Sequence, residues 1–190
     1  MQAVKSISGP IRLDIGCGNG EALIFEAKQN RGTNYIGVEL QYKEVYRTAS
    51  KIKSNNLNNC LVLQLDAKKL PSLFDPDQIE QVNLFFPDPW PKTKQKKNRL
   101  VQSVYLRELF SKMRKGSCFN IRTDNDDYFM HILSVVYSLK DEFNLDVTNF
   151  SRDHYRYGVS KNSCITAFER ILLKQGLLIN VLSFNVQKPL

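Results

Sequence analysis

Short apolar runs rich in β-branched residues recur along the chain, separated by longer amphipathic stretches, and this alternation restricts the fold more than any other feature. Ile11 to Ile15, Asn34 to Glu39, Cys60 to Leu65, Gln81 to Phe86 and Cys118 to Arg122 read as strands. Glu21 to Gln29 and Tyr42 to Ser54 suit helices in the first two crossovers, Leu100 to Arg114 the fourth, and Asp126 to Leu139 the one after the fifth strand. Repeated strand-helix units build an α/β fold around a mostly parallel sheet. Gly116, just beyond Arg114 and Lys115, reads as a helix stop. After Leu139 the rhythm changes. Leu145 to Phe150 and Cys164 to Leu172 read as two strands joined by a polar loop, an antiparallel hairpin finishing the sheet. The 190 residues suit a single domain with a core over 11–172, and the tail 177–190 belongs to no predicted unit. The first strand begins so early that the chain is expected to be trimmed or part of a longer polypeptide.

The carboxyl ends of these strands carry the polar signals. The first runs into Asp14-Ile15-Gly16-Cys17-Gly18-Asn19-Gly20, and glycines there let the backbone pass close to a ligand. The spacing is G-x-G-x-G rather than the G-x-G-x-x-G of a dinucleotide site, and Glu21 follows, which would repel a pyrophosphate. A cofactor with a sulfonium cation and no phosphate tolerates that acid. The second strand ends in Gly37-Val38-Glu39, where a carboxylate can grip a ribose diol. The third ends in Leu65-Asp66-Ala67, where an acid can accept from an adenine amino group. Asp14 serves either as a cap of the loop or as a contact for the cofactor's amino group.

After the fourth strand comes Phe86-Pro87-Asp88-Pro89-Trp90-Pro91, a loop stiffened by three prolines separated by single residues. Trp90, the only tryptophan, is either a stacking surface for a splayed-out base or a core aromatic at the sheet edge. Behind it Lys92, Lys94, Lys96, Lys97 and Arg99 carry most of the net charge of +8. They form either a solvated loop or a phosphate-neutralising surface for a polyanion. A second basic and aromatic mixture, Arg152, His154, Tyr155, Arg156, Tyr157 and Lys161, suits nucleic-acid contact or simply a polar loop.

Other chemistries are poorly supported. Four cysteines far apart, with no C-x-x-C pair, suggest free thiols in a reducing compartment and no metal site; Cys60, Cys118 and Cys164 head apolar runs and read as buried. His131 and His154 have no partnered nucleophile motif. No apolar run approaches the roughly 20 residues that cross a bilayer, and Met1 to Pro10 does not read as a signal peptide, so a cytoplasmic location without membrane attachment is expected. Monomer and homodimer are equally compatible with these features.

Taken together, D-I-G-C-G-N-G, G-V-E, L-D-A, F-F-P-D-P-W-P-K with its basic run, R-T-D at 122–124 and T-A-F-E at 166–169 resemble the bacterial tRNA (guanine-N7)-methyltransferases over residues 11 to 172. The resemblance implies a Rossmann-like class I methyltransferase fold. It implies methyl transfer from S-adenosylmethionine to guanine N7, usually at variable-loop position 46 of tRNA, with tRNA as partner. It assigns Asp14, Glu39, Asp66 and Asp88 to the cofactor beside Gly16 and Gly18, with Asp88 also catalytic. Lys92, Asp124 and the stretch Thr166, Ala167, Phe168 and Glu169 are assigned to the substrate. Within that reading, Asp88 orients base and cofactor, and Asp124 or Glu169 accepts from the N1 and N2 donors of guanine. The chain departs from the family in its short N-terminus, in a lysine-rich stretch where arginines and histidine are usual, and in its tail. Two alternatives stay open: an enzyme methylating an exocyclic or side-chain amide nitrogen, and an RNA-binding module without activity. The single prolines flanking Asp88 favour the guanine reading over the first.

Overall fold

In the computed structural model, which describes residues 7–156, 158 and 164–188, seven strands form one sheet. They are β1 (Ile11–Ile15), β2 (Asn34–Glu39), β3 (Cys60–Gln64), β4 (Ile79–Phe85), β5 (Met113–Thr123), β6 (Leu145–Ser151) and β7 (Asn180–Val186). Their order across the sheet is β3-β2-β1-β4-β5-β7-β6. Every pair from β3 to β5 is parallel, and β7 runs antiparallel to both its neighbours. The helices are α1 (Glu21–Gln29), α2 (Tyr42–Ser54), α3 (Ser103–Lys112), α4 (Asp126–Ser138) and α5 (Ala167–Lys174). Two 3-10 helices, Ala67–Leu73 and Thr93–Asn98, fill the third crossover and the basic run. This is a Rossmann-like, mostly parallel α/β sheet with antiparallel C-terminal strands, as expected.

Alternation along β1 decides which layer each side chain enters. Ile11, Leu13 and Ile15 are fully buried in the larger core, with Leu106, Leu109 and Phe110 of α3 and Phe129 and Ile132 of α4. Asp14 lies between them in the strand and faces the other side of the sheet. A smaller core there joins Leu23, Ile24 and Ala27 of α1 to Tyr35, Leu57 and Cys60. Each fully buried Leu, Ile or Phe contributes about 1.5–3 kcal/mol by leaving water. The chain turns back between β1 and β4, so the crossovers leave toward opposite faces. The strand ends on either side of that point open a crevice.

Several boundaries differ from the sequence reading. Cys164 to Leu172 is not a strand: Ala167–Lys174 is helical, capped by Thr166, whose hydroxyl accepts from the Glu169 amide while the Glu169 carboxylate accepts from the Thr166 amide. That reciprocal cap satisfies donors a strand would have sent to a neighbour. The strand pairing with β6 comes later, from the tail. Asn180–Val186 is buried along nearly its whole length, between β5 and β6. The core therefore extends beyond Leu172, and the tail is structural. Gly116 stops no helix, because α3 ends at Lys112 and residues 113–123 are already β5. Cys60 is buried, but Cys118 and Cys164 are only partly covered, and all four thiols are free. Burial pushes the Cys60 thiol up to about 12, so it stays protonated. No helix among the described residues is long and apolar enough to cross a membrane.

Phe184 explains why the tail matters. Its ring stacks on Phe119 at 5.3 Å and meets Phe110 edge-on at 5.8 Å, and Phe110 also meets Phe143 at 5.2 Å. We expect Phe184→Ala to lower unfolding free energy by about 3–5 kcal/mol in urea titration. A loss below about 1 kcal/mol, within the range of ordinary surface substitutions, would mean that β7 is peripheral to the core.

Candidate active site

The glycine turn is pinned to β2 from beneath: the amides of Gly16 and Cys17 both donate to the Val38 carbonyl, at 2.8 and 3.1 Å. Gly16 (φ +75) has open space where a Cβ would stand, so its requirement is the left-handed backbone, and its bare surface faces the crevice. Gly20 (φ +76) is also constrained by packing, since a Cβ there would lie 2.6 Å from Thr48 Cγ2. Helix α2 clamps the turn from the side. Thr48 Oγ1 donates to the Gly18 carbonyl and Lys51 Nζ to the Asn19 carbonyl, both at 2.9 Å.

Three carboxylates stand at these strand ends in different surroundings. Glu39 Oε2 accepts from the Gly18 amide at 3.1 Å, while Oε1 accepts from Leu40 and Gln41 amides at 2.8 and 2.9 Å. Of about four acceptor positions on a carboxylate, three are used and one on Oε2 remains. Asp66 caps the first 3-10 helix by accepting from the Lys68 amide and is exposed. Asp14 is buried, and that burial, with Glu26 and Glu39 nearby, raises its carboxyl to about 7; Arg122 and the Leu23 amide oppose the rise. Among the described residues no cation forms an ion pair with it, Arg122 acting only at longer range.

Two cavities open at these strand ends. One, of about 430 Å³, is walled by Ile15, Val38, Glu39, Leu65, Asp66 and Trp90 among others. The second, of about 480 Å³, takes in Asp14, Gly18, Asn19 and Thr166 to Phe168. Gly16, Gln41, Phe85, Phe86 and Asp88 belong to both. The loop carrying Asp88 thus stands where the two cavities meet. Its backbone is unusual: Phe86 (φ 53) and Trp90 (φ 42) are left-handed without being glycine, a conformation that persists only where surroundings impose it. Phe86 donates its amide to the Arg122 carbonyl at 2.8 Å. Trp90 is half-buried in the wall of the first cavity.

Arg99 departs from the expectation that the basic run faces outward. It is 2% exposed, donates from Nε to the Pro89 carbonyl at 2.8 Å, pairs with Asp127, and lies over the Tyr128 ring at 4.7 Å. Lys92, Lys94 and Lys97 are exposed, whereas Lys96 is half-buried and also reaches Asp127, at 2.8 Å.

The T-A-F-E stretch divides by role. Thr166, Ala167 and Phe168 line the second cavity, and the Phe168 ring meets Phe86 edge-on at 5.0 Å. Glu169 is fully buried: Oε1 accepts from Arg122 at 2.8 Å and Tyr155 at 2.9 Å, and Oε2 from the Thr166 amide at 2.8 Å. Its carboxylate is committed to these partners and lies outside the walls of both cavities, unlike the guanine-facing role expected for it. Arg122 also covers the Phe85 ring at 4.3 Å. Glu21, read only as a bar to pyrophosphate, accepts from the Ala167 amide at 2.5 Å and ties α5 to the glycine turn. In the basic and aromatic loop His154 and Tyr155 are half-buried, Tyr155 donating to Glu169, whereas Arg152 and Arg156 are exposed, Arg152 pairing with Asp126 at 2.9 Å; Tyr157 and Lys161 lie outside the described residues. Lys92 and Asp124 are exposed, outside the walls of both cavities. Among the described residues no cluster of His, Cys, Asp and Glu could hold a metal ion. The structural roles of Arg122 and Glu21 and the Phe86–Phe168 contact escaped the sequence reading. The T-x-x-E spacing that heads α5 was a legible capping signal.

Comparison with known proteins agrees with this geometry. A family model described as "Putative methyltransferase" matches residues 8–179. A tRNA (guanine-N(7)-)-methyltransferase of Bacillus subtilis is 35% identical over 155 residues, covering 80% of this chain and 70% of the relative. One of Nitrosomonas europaea is 31% identical, covering 97% and 80%. Among solved structures, the 16S rRNA methyltransferase KamB superposes with a TM-score of 0.69 at 14% identity, covering 98% of this chain and 92% of KamB, which is a likeness of fold. With a sheet, a glycine turn and a loop placed as described, the chain belongs to the tRNA (guanine-N(7)-)-methyltransferase family.

Proposed function

We infer that the chain transfers a methyl group from S-adenosylmethionine to N7 of a guanine in tRNA, the variable-loop guanine being the expected target. The observation that carries this reading is the meeting of two cavities at Asp88, one lined by a ribose-type acceptor and the other by the α5 wall. The relatives named for this reaction support it.

The residues fit the cofactor on their own chemistry. The first cavity pairs apolar walls, Ile15, Val38 and Leu65, with the Glu39 and Asp66 carboxylates, as an adenosine with its hydroxyl and amino donors requires. Asp14, buried and in no ion pair among the described residues, stands on the second cavity where an α-ammonium would relieve it. When bound, S-adenosylmethionine supplies an electrophilic methyl on a sulfonium cation. The chain has to hold the base against that methyl and keep water out. Guanine N7 attacks through an in-plane lone pair and loses no proton, so alignment matters and a general base does not. Asp88, fixed in its proline-stiffened loop, orients base and cofactor. Phe168 and Phe86 offer flat apolar surface beside it. With Glu169 committed to Arg122, acceptance from the guanine N1 and N2 donors is assigned in this reading to Asp124, which is exposed beside the crevice rather than in its walls. Lys92, Lys94 and Lys97 present positive charge to the backbone of the tRNA.

Incubation of bulk tRNA with methyl-labelled cofactor, followed by nucleoside analysis, should give label in 7-methylguanosine. Asp88→Ala should lower the rate by roughly a hundredfold, the scale of a misaligned reacting pair. Label in protein or in another nucleoside would instead select the amide or exocyclic alternative. A second outcome concerns pH. Because Asp14 ionises at about 7 and a bound cation favours the ionised form, affinity for S-adenosylhomocysteine should rise between about pH 6 and pH 8. Calorimetric titration of Asp14→Asn should show weaker binding without that rise. An unchanged pH dependence in the variant would remove Asp14 from the cofactor's amino group.

A further inference from the structure

We propose that Arg99 is a positioning residue for the reaction loop: its buried guanidinium clamps the Pro89 carbonyl to Asp127 and thereby holds Asp88 and Trp90 in place. The proposal rests on the methyl-transfer reading for its kinetic consequence, but its structural content stands apart from it.

The basic run as a whole invites a phosphate-binding role, and Arg99 cannot serve one. Its side chain is 1% exposed, so no phosphate reaches it without rearrangement. A buried cation persists only where its donors are met and its charge is offset. Asp127 provides the charge, the Pro89 carbonyl accepts the hydrogen bond from Nε, and the Tyr128 ring supports the guanidinium face. Tyr128 is fixed in turn, its hydroxyl accepting from the Val101 amide at 3.2 Å and its own amide donating to the Asn125 side chain that caps α4. The clamp therefore connects the loop to the first turn of a helix packed in the larger core.

The point of attachment is specific. Pro89 lies between Asp88 and Trp90, and the residues on either flank, Phe86 and Trp90, hold left-handed backbone that their side chains disfavour. Prolines stiffen the loop but leave its orientation to the crevice undetermined. The Phe86 amide on the Arg122 carbonyl anchors its start, and Arg99 anchors its far side. A planar fork can span a carbonyl and a carboxylate together; a lysine ammonium is a point charge that cannot reproduce both directions.

Trp90, the chain's single tryptophan, reports on the loop directly. In the full chain, Arg99→Met and Arg99→Lys should each shift Trp90 emission to longer wavelength and raise its quenching by acrylamide about twofold. In tRNA methylation kcat should fall roughly a hundredfold, with KM for tRNA within about threefold and an unchanged salt slope, and Arg99→Lys should restore little of the rate. Lys97→Ala, in the exposed part of the same run, should instead reduce the salt slope by about 0.9 and leave Trp90 emission as it was. Unchanged Trp90 emission in folded Arg99 variants would overturn the proposal, as would a raised KM with a reduced salt slope, the signature of a phosphate contact. Should the Arg99 variants not fold, Asp127→Asn, at an exposed carboxylate, should give the same shift in smaller degree, and no shift there would equally overturn it. If the wild-type chain did not methylate tRNA, the functional reading would fail while the Trp90 measurement still decided the role of Arg99.

Discussion

The Glu39 carboxylate is the tie on which the crevice depends. It gathers amides from the glycine turn after β1 and from the entry to α2, so two crossovers on neighbouring strands are held in one relation. Charge-assisted bonds of this type are roughly twice as strong as neutral ones. With the turn also hung from the Val38 carbonyl, the chain's own hydrogen bonds hold the bare backbone of Gly16 and Gly18 at the cavity. Preorganisation of this kind spares a cofactor the cost of ordering its own site.

The other side of the site is organised by buried charge rather than by the sheet. Arg122 and Glu169 pair in the interior, where removing either partner would strand the other. That pair, with the Glu21 carboxylate on the Ala167 amide, sets α5 against the glycine turn and brings Phe168 to Phe86. Arg99 and Asp127 do the same for the loop behind Asp88. Glu169, which a sequence reader assigns to the substrate, and Arg99, which such a reader assigns to phosphate, are here struts that shape the walls.

Legibility followed physical range. The five parallel strands and the helices between them were readable because their period and their glycine turn are local signals, and Glu39, Asp66 and Asp88 stand at strand ends as local pattern implied. What lay beyond reach was long-range. Asn180–Val186 has the composition of a strand, but only its insertion between β5 and β6 shows that it belongs to the core. Residues 167–174 contain Ile and Leu that suit either period, and the cap at Thr166, not the apolar content, decides for helix. Nothing local separates Arg99 from the lysines before it, because its burial is set by α4, nearly thirty residues later.

The central claim, that the glycine turn, Glu39, Asp66 and the Asp88 loop form one continuous cofactor crevice, is tested most directly by amide hydrogen exchange with and without S-adenosylhomocysteine. Slowed exchange should appear together at Gly16 to Gly18, at Leu40 and Gln41, at Ala67 and Lys68, and at Asp88 and Trp90, with β6 unaffected. Protection confined to one of these segments, or centred on β6 and β7, would contradict the claim.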